Sequence, residues 1–360
     1  MVYTCKWGIM ATGGIARQFC DDLIKDPKDR NATDIAHEIV AVASSSSKDK
    51  ADKFVKDNKY PGNIATYGDY QSLVNDANVD VVYVASPHGL HYEHAKLALT
   101  AGKNVLCEKA FTINEAQAKE LVRLAREKNV FLMEALWTRY FPLVKELKTL
   151  LFEKRILGKL IRIVSDNAIK FDVDNLDLSH RMLDPKLGGG ALLDLGIYSL
   201  TWPFVFGYGD PDNKKQAPSV AAQIVKNSRT GVDETTSMLL TFPGSGVSAI
   251  ATTSMVVETL PQDTCRIEGE KGTVTIVGPS FRPEAFVVTY NDNRDKPEKH
   301  SFDMPGRGMF YEADEVARCL RDGRKESESM TLDETILIMG TMDAVRRQNN
   351  FEYPKEVEAV

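Results

Sequence analysis

The chain contains no run of about 18 apolar residues, so no membrane-crossing helix is predicted. It has no Cys-x-x-Cys pair. Its five cysteines (Cys5, Cys20, Cys107, Cys265 and Cys319) are odd in number and scattered, so neither a disulfide framework nor a zinc site is indicated. No metal is expected, and a reducing compartment fits. Nor is there a basic excess: the net charge of −6 argues against nucleic acid or an anionic membrane as the main partner. The opening MVYTCKWGIM carries one lysine before a glycine-rich turn, which is not the pattern of a signal peptide, and a cytoplasmic location is expected. There is no internal repeat and no low-complexity linker. A hydrophobic content of 43% leaves material for two cores, and 360 residues predict two domains.

Within residues 1–136 apolar strand runs alternate with helical patterns. Residues 6–10 form a short strand that meets Ala11, Thr12, Gly13, Gly14 and Ile15, after which Ile15, Phe19 and Leu23 set a helical period. This strand, turn and helix carry a degraded dinucleotide fingerprint, A-x-G-x-x-A. Gly13 lets the backbone approach a pyrophosphate, Ala16 permits close helix–strand packing, and the helix N-terminus favours the anion. The plain alternative is a tight strand-to-helix connection. The next strand, 37–43, ends not in an acidic residue but in Ser44, Ser45, Ser46 and Ser47, with Lys48 and Lys50 following. A carboxylate there would repel a 2′-phosphate, whereas hydroxyls and lysines accept one, so NADP is expected over NAD. The alternative is a polar loop.

The run 79–85 (VDVVYVA) is the most strand-like in the chain and leads into Ser86, Pro87, His88 and His91. His88, His91 and His94 are spaced by three, but no carboxylate or cysteine completes a metal set. His88 and His91 are placed in a loop over the nicotinamide end of the cofactor, and His94 on the helix surface. Residues 104–111, NVLCEKAF, are a buried strand running into Glu108 and Lys109. A side chain at the carboxyl end of a parallel strand stands where α/β folds place ligands. The alternation predicts a doubly wound parallel sheet.

From Gly158 the texture changes. Strand-like runs at 160–168, 220–227, 235–242, 247–257, 264–268, 273–277 and 285–290 are separated by turn signals, with helices at 191–206, 308–321 and 332–348. Residues 137–360 are therefore read as an α+β domain on an open-faced, mostly antiparallel sheet. In GGGALLDLGIY, Asp194 and Tyr198 are four apart and share a helix face, with His180 and Arg181 just upstream. Removing a proton from an alcohol during hydride transfer needs a base. A free tyrosine, with a pKa of about 10, is too weak at neutral pH. A lysine charge about 4 Å away contributes about 4 kcal/mol at an effective dielectric of about 20, enough to lower that pKa by about 3. Tyr198 as base with Lys109 as its cation is therefore energetically reasonable, with Asp194 orienting a substrate hydroxyl. A core tyrosine and a surface lysine are the bland alternatives.

WGIMATGGIA, the SPHxxH loop, CEKAF, FLMEALWTRYFP and GGGALLDLGIY together resemble the Gfo/Idh/MocA oxidoreductases. The resemblance is nearest to the branch with dihydrodiol dehydrogenases and NADP-dependent D-xylose dehydrogenases. It implies a Rossmann domain followed by an open-sheet domain that often dimerises through that sheet. It also implies that Lys109 works with Tyr198, and that Glu108, Trp137 and Arg139 join the cofactor contacts. A sugar pocket would draw on Trp137, Arg139, Phe141, His180, Arg181, Asp194 and Phe310. The implied reaction is oxidation of an aldopyranose, D-xylose first, at C1. Dihydrodiol oxidation is the alternative within enzymes, and a dinucleotide-sensing transcriptional regulator the alternative outside them. Two departures stand out: Ala11 replaces the usual first glycine, and Ala110 replaces a proline, which leaves the backbone after Lys109 less fixed.

Overall fold

The computed structural model describes residues 2–360. The chain divides into two compact units: Met1–Trp137 with Met304–Ile336 and Ala359–Val360, and Thr138–Asp303 with Leu337–Glu358. In the first unit the chain runs β1 (Tyr3–Met10), α1 (Gly14–Leu23), β2 (Ile35–Ala43), α2 (Lys48–Asn58), β3 (Ala65–Tyr67), α3 (Tyr70–Asn75), β4 (Val81–Val84), α4 (His91–Thr100), β5 (Asn104–Glu108), α5 (Glu115–Lys128) and β6 (Leu132–Ala135). The six strands pair in parallel, in the order β3-β2-β1-β4-β5-β6. All four residues of β4 are buried, as a strand covered on both faces requires. Strand order reverses between β1 and β4, so the ligand crevice of this doubly wound sheet opens at their carboxyl ends. The helices start where polar caps place them. Ser47 accepts the Lys50 N–H at 3.4 Å and Asn114 accepts the Gln117 N–H at 2.9 Å.

The second unit contains α6 (Pro142–Lys148), β7 (Leu160–Ala168), α7 (Ile197–Pro203), β8 (Ser219–Lys226), β9 (Asp233–Phe242), β10 (Val247–Ser254), β11 (Cys265–Gly269), β12 (Gly272–Val277), β13 (Ala285–Tyr290) and β14 (Glu298–Ser301). Its eight strands lie in the order β14-β13-β12-β11-β7-β10-β9-β8, and only β7 and β10 run parallel. One face stays open. Ala221, Leu239, Ile250 and Val164 stand in register on four adjacent strands, with Leu239 58% and Ile250 36% exposed. The helical stretch predicted at 191–206 is helical throughout, but wide i→i+5 turns at Leu192–Gly196 and Phe204–Tyr208 bracket α7.

The predicted single cut after residue 136 needs correction, because Met304–Ile336 packs with the first unit. Long-range polar contacts hold α8 (Phe310–Arg321) there. On α1, Asp22 accepts the backbone N–H groups of Arg307, Gly308 and Met309 at 3.0, 2.7 and 2.9 Å. Arg30 donates to both oxygens of Asp314 at 2.8 and 2.9 Å, a fork geometry that strengthens the pair. His37 on β2 reaches the same carboxylate at 2.9 Å. Trp7 donates its indole N–H to the other His37 nitrogen at 3.1 Å, which sets the tautomer. The last long helix, α9 (Leu332–Gln348), and the residue after it protect the β8 edge: Gln348 and Asn349 side chains each accept a β8 backbone N–H, from Ala222 and Ile224, at 2.9 Å. No described helix is long and apolar enough to cross a membrane.

Candidate active site

At the end of β1 the chain turns through Ala11, whose φ is +94°, a conformation that favours glycine. The alanine thus keeps the backbone shape of the residue it replaces, and its N–H donates to Ala43 O at 3.1 Å. A Cβ built on Gly13 or Gly14 would meet no atom within 4 Å, so the turn faces open space in front of the α1 N-terminus. Ala16 behind it is wholly buried, as close packing on the sheet requires. Thr12, Gly13 and Gly14 line a cavity of about 440 Å³ together with Arg17, Lys50 and Lys53. Three cations and one carboxylate, Asp57, line this pocket at a helix N-terminus, a net positive setting that fits a dinucleotide carrying an extra phosphate.

Arg17 and Lys53 did not emerge from the sequence reading, although Lys53 follows Lys50 by one helical turn and Arg17 follows Gly14 by three residues. Of the serines, Ser44 is buried and its N–H donates to Tyr67 O at 3.1 Å. Ser45 and Ser46 are exposed, and Ser47 is the α2 cap.

Lys109 follows β5 and is half-buried. Side chains hold the backbone around it on every side. Its N–H donates to Glu108 Oε2 at 3.2 Å, and the Phe111 N–H donates to Glu134 Oε1 at 3.0 Å. A ring nitrogen of His88 lies 3.0 Å from Lys109 O, and one of His91 lies 2.9 Å from Ala110 O. The Lys109–Ala110 peptide is cis. The expectation of a less fixed backbone after Lys109 therefore does not hold, because these hydrogen bonds tether it. The other His91 nitrogen is 2.7 Å from Ser86 O. Burial pushes the His91 imidazole down to about 4. His94 is half-buried, not fully exposed on the helix surface. A ring nitrogen meets Ser86 Oγ at 2.9 Å, the ring packs against Tyr70, and burial lowers its pKa to about 4. His88 and His91 thus flank Lys109, while Pro87 between Ser86 and His88 is exposed. Among the described residues no three His, Cys, Asp or Glu side chains group as metal ligands.

The second unit carries the remaining ionisable candidates. Arg181, half-exposed, donates to Asp194 Oδ2 at 2.9 Å. Asp194 sits in the wide turn and Tyr198 in the following α7, both buried. The Tyr198 ring lies 5.7 Å from that of Phe281, and its carbonyl accepts the Ser280 hydroxyl at 3.4 Å. The glycine run before this helix has a steric reason. Gly190 has φ +116°, and a Cβ there would lie 2.1 Å from Asp233 Oδ1. That aspartate receives the Leu192 N–H at 2.6 Å, anchoring the start of the helical stretch. Burial pushes the Asp233 carboxyl up to about 6. Neither Asp233 nor Phe281 stood out in the sequence.

His180 accepts the Met182 N–H at 3.3 Å and is half-buried. Arg139 (3% exposed) and Trp137 (9%) are buried on the turn that precedes α6. Phe141 and Phe310 are enclosed by packing, at 0% and 1% exposure, and Arg30 covers the Phe310 ring. These two aromatics are packed in the core.

Residues 5–136 match the family described as the oxidoreductase family with NAD-binding Rossmann fold, and residues 144–275 match the GFO/IDH/MocA C-terminal domain. The chain is 46% identical to a D-xylose 1-dehydrogenase (NADP+) of Hypocrea jecorina, over 98% of this chain and 94% of that protein. It is 37% identical to a trans-1,2-dihydrobenzene-1,2-diol dehydrogenase of Xenopus laevis, over 97% and 99%. A 3-ketoreductase from Actinomadura kijaniata, solved with NADP and TDP-benzene, shares the fold with a TM-score of 0.78 at 24% identity, covering 96% of this chain and 98% of that one.

Proposed function

Because the chain belongs to the Gfo/Idh/MocA oxidoreductase family, we propose that it oxidises an aldopyranose, D-xylose first, at C1 to the aldonolactone, with NADP⁺ as hydride acceptor. The likeness to the fungal xylose dehydrogenase across nearly the whole chain carries this reading. The pocket with Arg17, Lys50 and Lys53, and no acidic residue at the end of β2, support the phosphorylated cofactor. Bound in this crevice, the nicotinamide would supply the hydride acceptor.

The chain's own residues do the rest. Tyr198 Oη takes the proton of the C1 hydroxyl as the C–H electron pair leaves and the carbonyl forms. The Lys109 ammonium favours the phenolate form of that tyrosine. Asp194, fixed by Arg181, receives a hydrogen bond from a second sugar hydroxyl. Ala11 to Ile15 cradle the pyrophosphate, with the Ser45–Ser46 hydroxyls at the far ribose and His88, His91, Trp137 and Arg139 at the nicotinamide end. His180 borders the sugar. Two copies associate through the open sheet face, where Leu239 and Ile250 offer apolar surface. Five buried, unpaired cysteines suit the cytoplasm.

Formation of reduced nicotinamide with D-xylose, measured with NADP⁺ and NAD⁺ side by side, tests the reading. Turnover with NADP⁺ is expected. The likeness to the amphibian dehydrogenase favours a second reading, oxidation of a cyclic trans-dihydrodiol by the same residues. Turnover of the diol and not of any aldose would select it.

A further inference from the structure

Arg181 and Asp194, both read as sugar contacts, close the loop between them with an ion pair at 2.9 Å. That loop folds on itself through its own backbone. The Gly189 N–H donates to Asp184 O at 3.0 Å, and the Gly190 N–H to Met182 O at 2.9 Å. A Cβ on Gly189 would come within 2.9 Å of both carbonyls, so glycine alone allows the approach. Such short-range bonds fix the shape of the loop, not its place in the second unit. Place comes from side chains far along the chain. Asp233, at the start of β9, takes the Leu192 N–H. Tyr353, beyond α9, donates its hydroxyl to Gly189 O at 2.7 Å, a bond that spans 164 positions. Its ring is fixed in turn. The Arg346 guanidinium stands 5.1 Å from the ring centre and the Phe351 ring 4.9 Å away. The Tyr353 N–H donates to Glu358 Oε1 at 3.0 Å, and Glu358 also pairs with Arg346. Burial holds the phenol well above its ordinary pKa, so the donor keeps its proton.

We propose that Tyr353 is a positioning residue for the sugar site: through its hydroxyl bond to Gly189, the C-terminal tail holds the Arg181–Asp194 loop where those two side chains meet the substrate. The proposal rests on the reading of Asp194 as a sugar contact and deepens it. A phenylalanine would fill the same space, so packing alone does not call for the hydroxyl; the buried Gly189 carbonyl does. Without that donor the carbonyl loses a partner inside the protein, and the peptide turns to seek another. The glycine run 188–190 lets it turn, because no Cβ there restrains the backbone. The displacement runs forward to Asp194 and, through the Gly190–Met182 bond, back to Arg181. Ala11 to Ile15, read as the pyrophosphate cradle, belong to the first unit and keep their own bonds, so cofactor affinity is spared.

Tyr353→Phe tests this, since it removes the hydroxyl and keeps the ring. Rates are measured over NADP⁺ and over D-xylose, or over the cyclic diol if that is what the enzyme turns over. KM for the sugar should rise about three-fold or more, with KM for NADP⁺ within about two-fold. A variant that merely lost folded fraction would show a lower apparent kcat with both KM values unchanged. A smaller rise for the sugar, or an equal rise for NADP⁺, overturns the proposal. Hydrogen exchange at the Gly190 and Leu192 amides reads the anchor without turnover: faster exchange in the variant is expected, and rates equal to wild type overturn it. Asp194→Asn runs beside it. If that variant keeps the wild-type KM for the sugar, the reading of Asp194 fails and takes the proposal with it. If it raises that KM while Tyr353→Phe does not, only the positioning role fails.

Discussion

Replacing Ala11 by glycine should make the protein more stable, although glycine ordinarily destabilises. Ala11 is held at φ +94°, a region that costs a residue with a Cβ about 1–3 kcal/mol. Glycine relieves that strain. Against it stand the extra freedom of glycine in the unfolded chain, about 0.4–1 kcal/mol, and the loss of a half-buried methyl, about 0.4 kcal/mol. The Ala11 N–H to Ala43 O bond belongs to the backbone and survives the change. A net gain of about 1 kcal/mol remains, which corresponds to a rise of about 2–4 °C in the melting temperature of a unit of this size. Urea unfolding followed by tryptophan fluorescence measures it, since Trp7 lies on the same strand. Ala11→Val supplies the reverse arm, because a β-branched side chain fits this φ worse still, and its stability should fall below wild type. A glycine variant no more stable than wild type, or a valine variant equal to it, would refute the reasoning that the turn is strained.

Other substitutions address the chemistry and the assembly. Tyr198→Phe and Lys109→Ala should each lower kcat by about 100-fold or more, the scale of a lost acid–base group, while NADP⁺ binding measured by fluorescence titration stays within a few-fold. Arg17→Ala and Lys53→Ala should raise KM for NADP⁺ about ten-fold and leave that for NAD⁺ nearly unchanged; equal effects on both cofactors would place the extra phosphate elsewhere. Asp233 binds its proton more tightly folded, with a pKa of about 6, than unfolded, so its contribution to stability declines as pH rises from about 4 to about 6. Asp233→Asn, which keeps an acceptor for Leu192, should therefore gain on wild type by about 3 kcal/mol between about pH 4 and about pH 7 in chemical denaturation; a constant difference across that range would contradict the assignment. Leu239→Asp on the open face should abolish the proposed pairing of two copies in sedimentation, with melting temperature little changed, because that side chain is 58% exposed within the chain.

The parallel sheet was legible because its strands are short and buried on both faces, so that VDVVYVA and NVLCEKAF stand out as apolar runs between amphipathic helices. The antiparallel sheet was legible through its turns, except for β14. Its residues, Glu-Lys-His-Ser, are a charged edge strand with no apolar alternation. Lys109, Asp194 and Tyr198 stand out in the sequence as candidates because they sit at a strand end and on a helical stretch following a glycine run. What local pattern could not disclose is partnership at long range. Glu312 and Asp314 lie on a helix that the sequence predicts at 308–321 without showing which side is covered, and both are buried, Asp314 against Arg30. His94 reads as surface until Ser86 and Tyr70 fold against it. The serine run reads as one motif, but Ser47 is spent on a helix cap and Ser44 is buried.

The return of α8 to the first unit also sets an order of events at the ribosome. The sheet of that unit is complete by Ala135, but the residues that join Asp22, Arg30 and His37 come only at 307–314, at and just before the start of α8. At about 5–20 residues per second, synthesis of the intervening second unit takes on the order of ten seconds or more. Throughout that interval the nascent sheet presents an uncovered flank, with an arginine, a histidine and an aspartate awaiting their partners. A chain stopped before α8 would keep that flank uncovered.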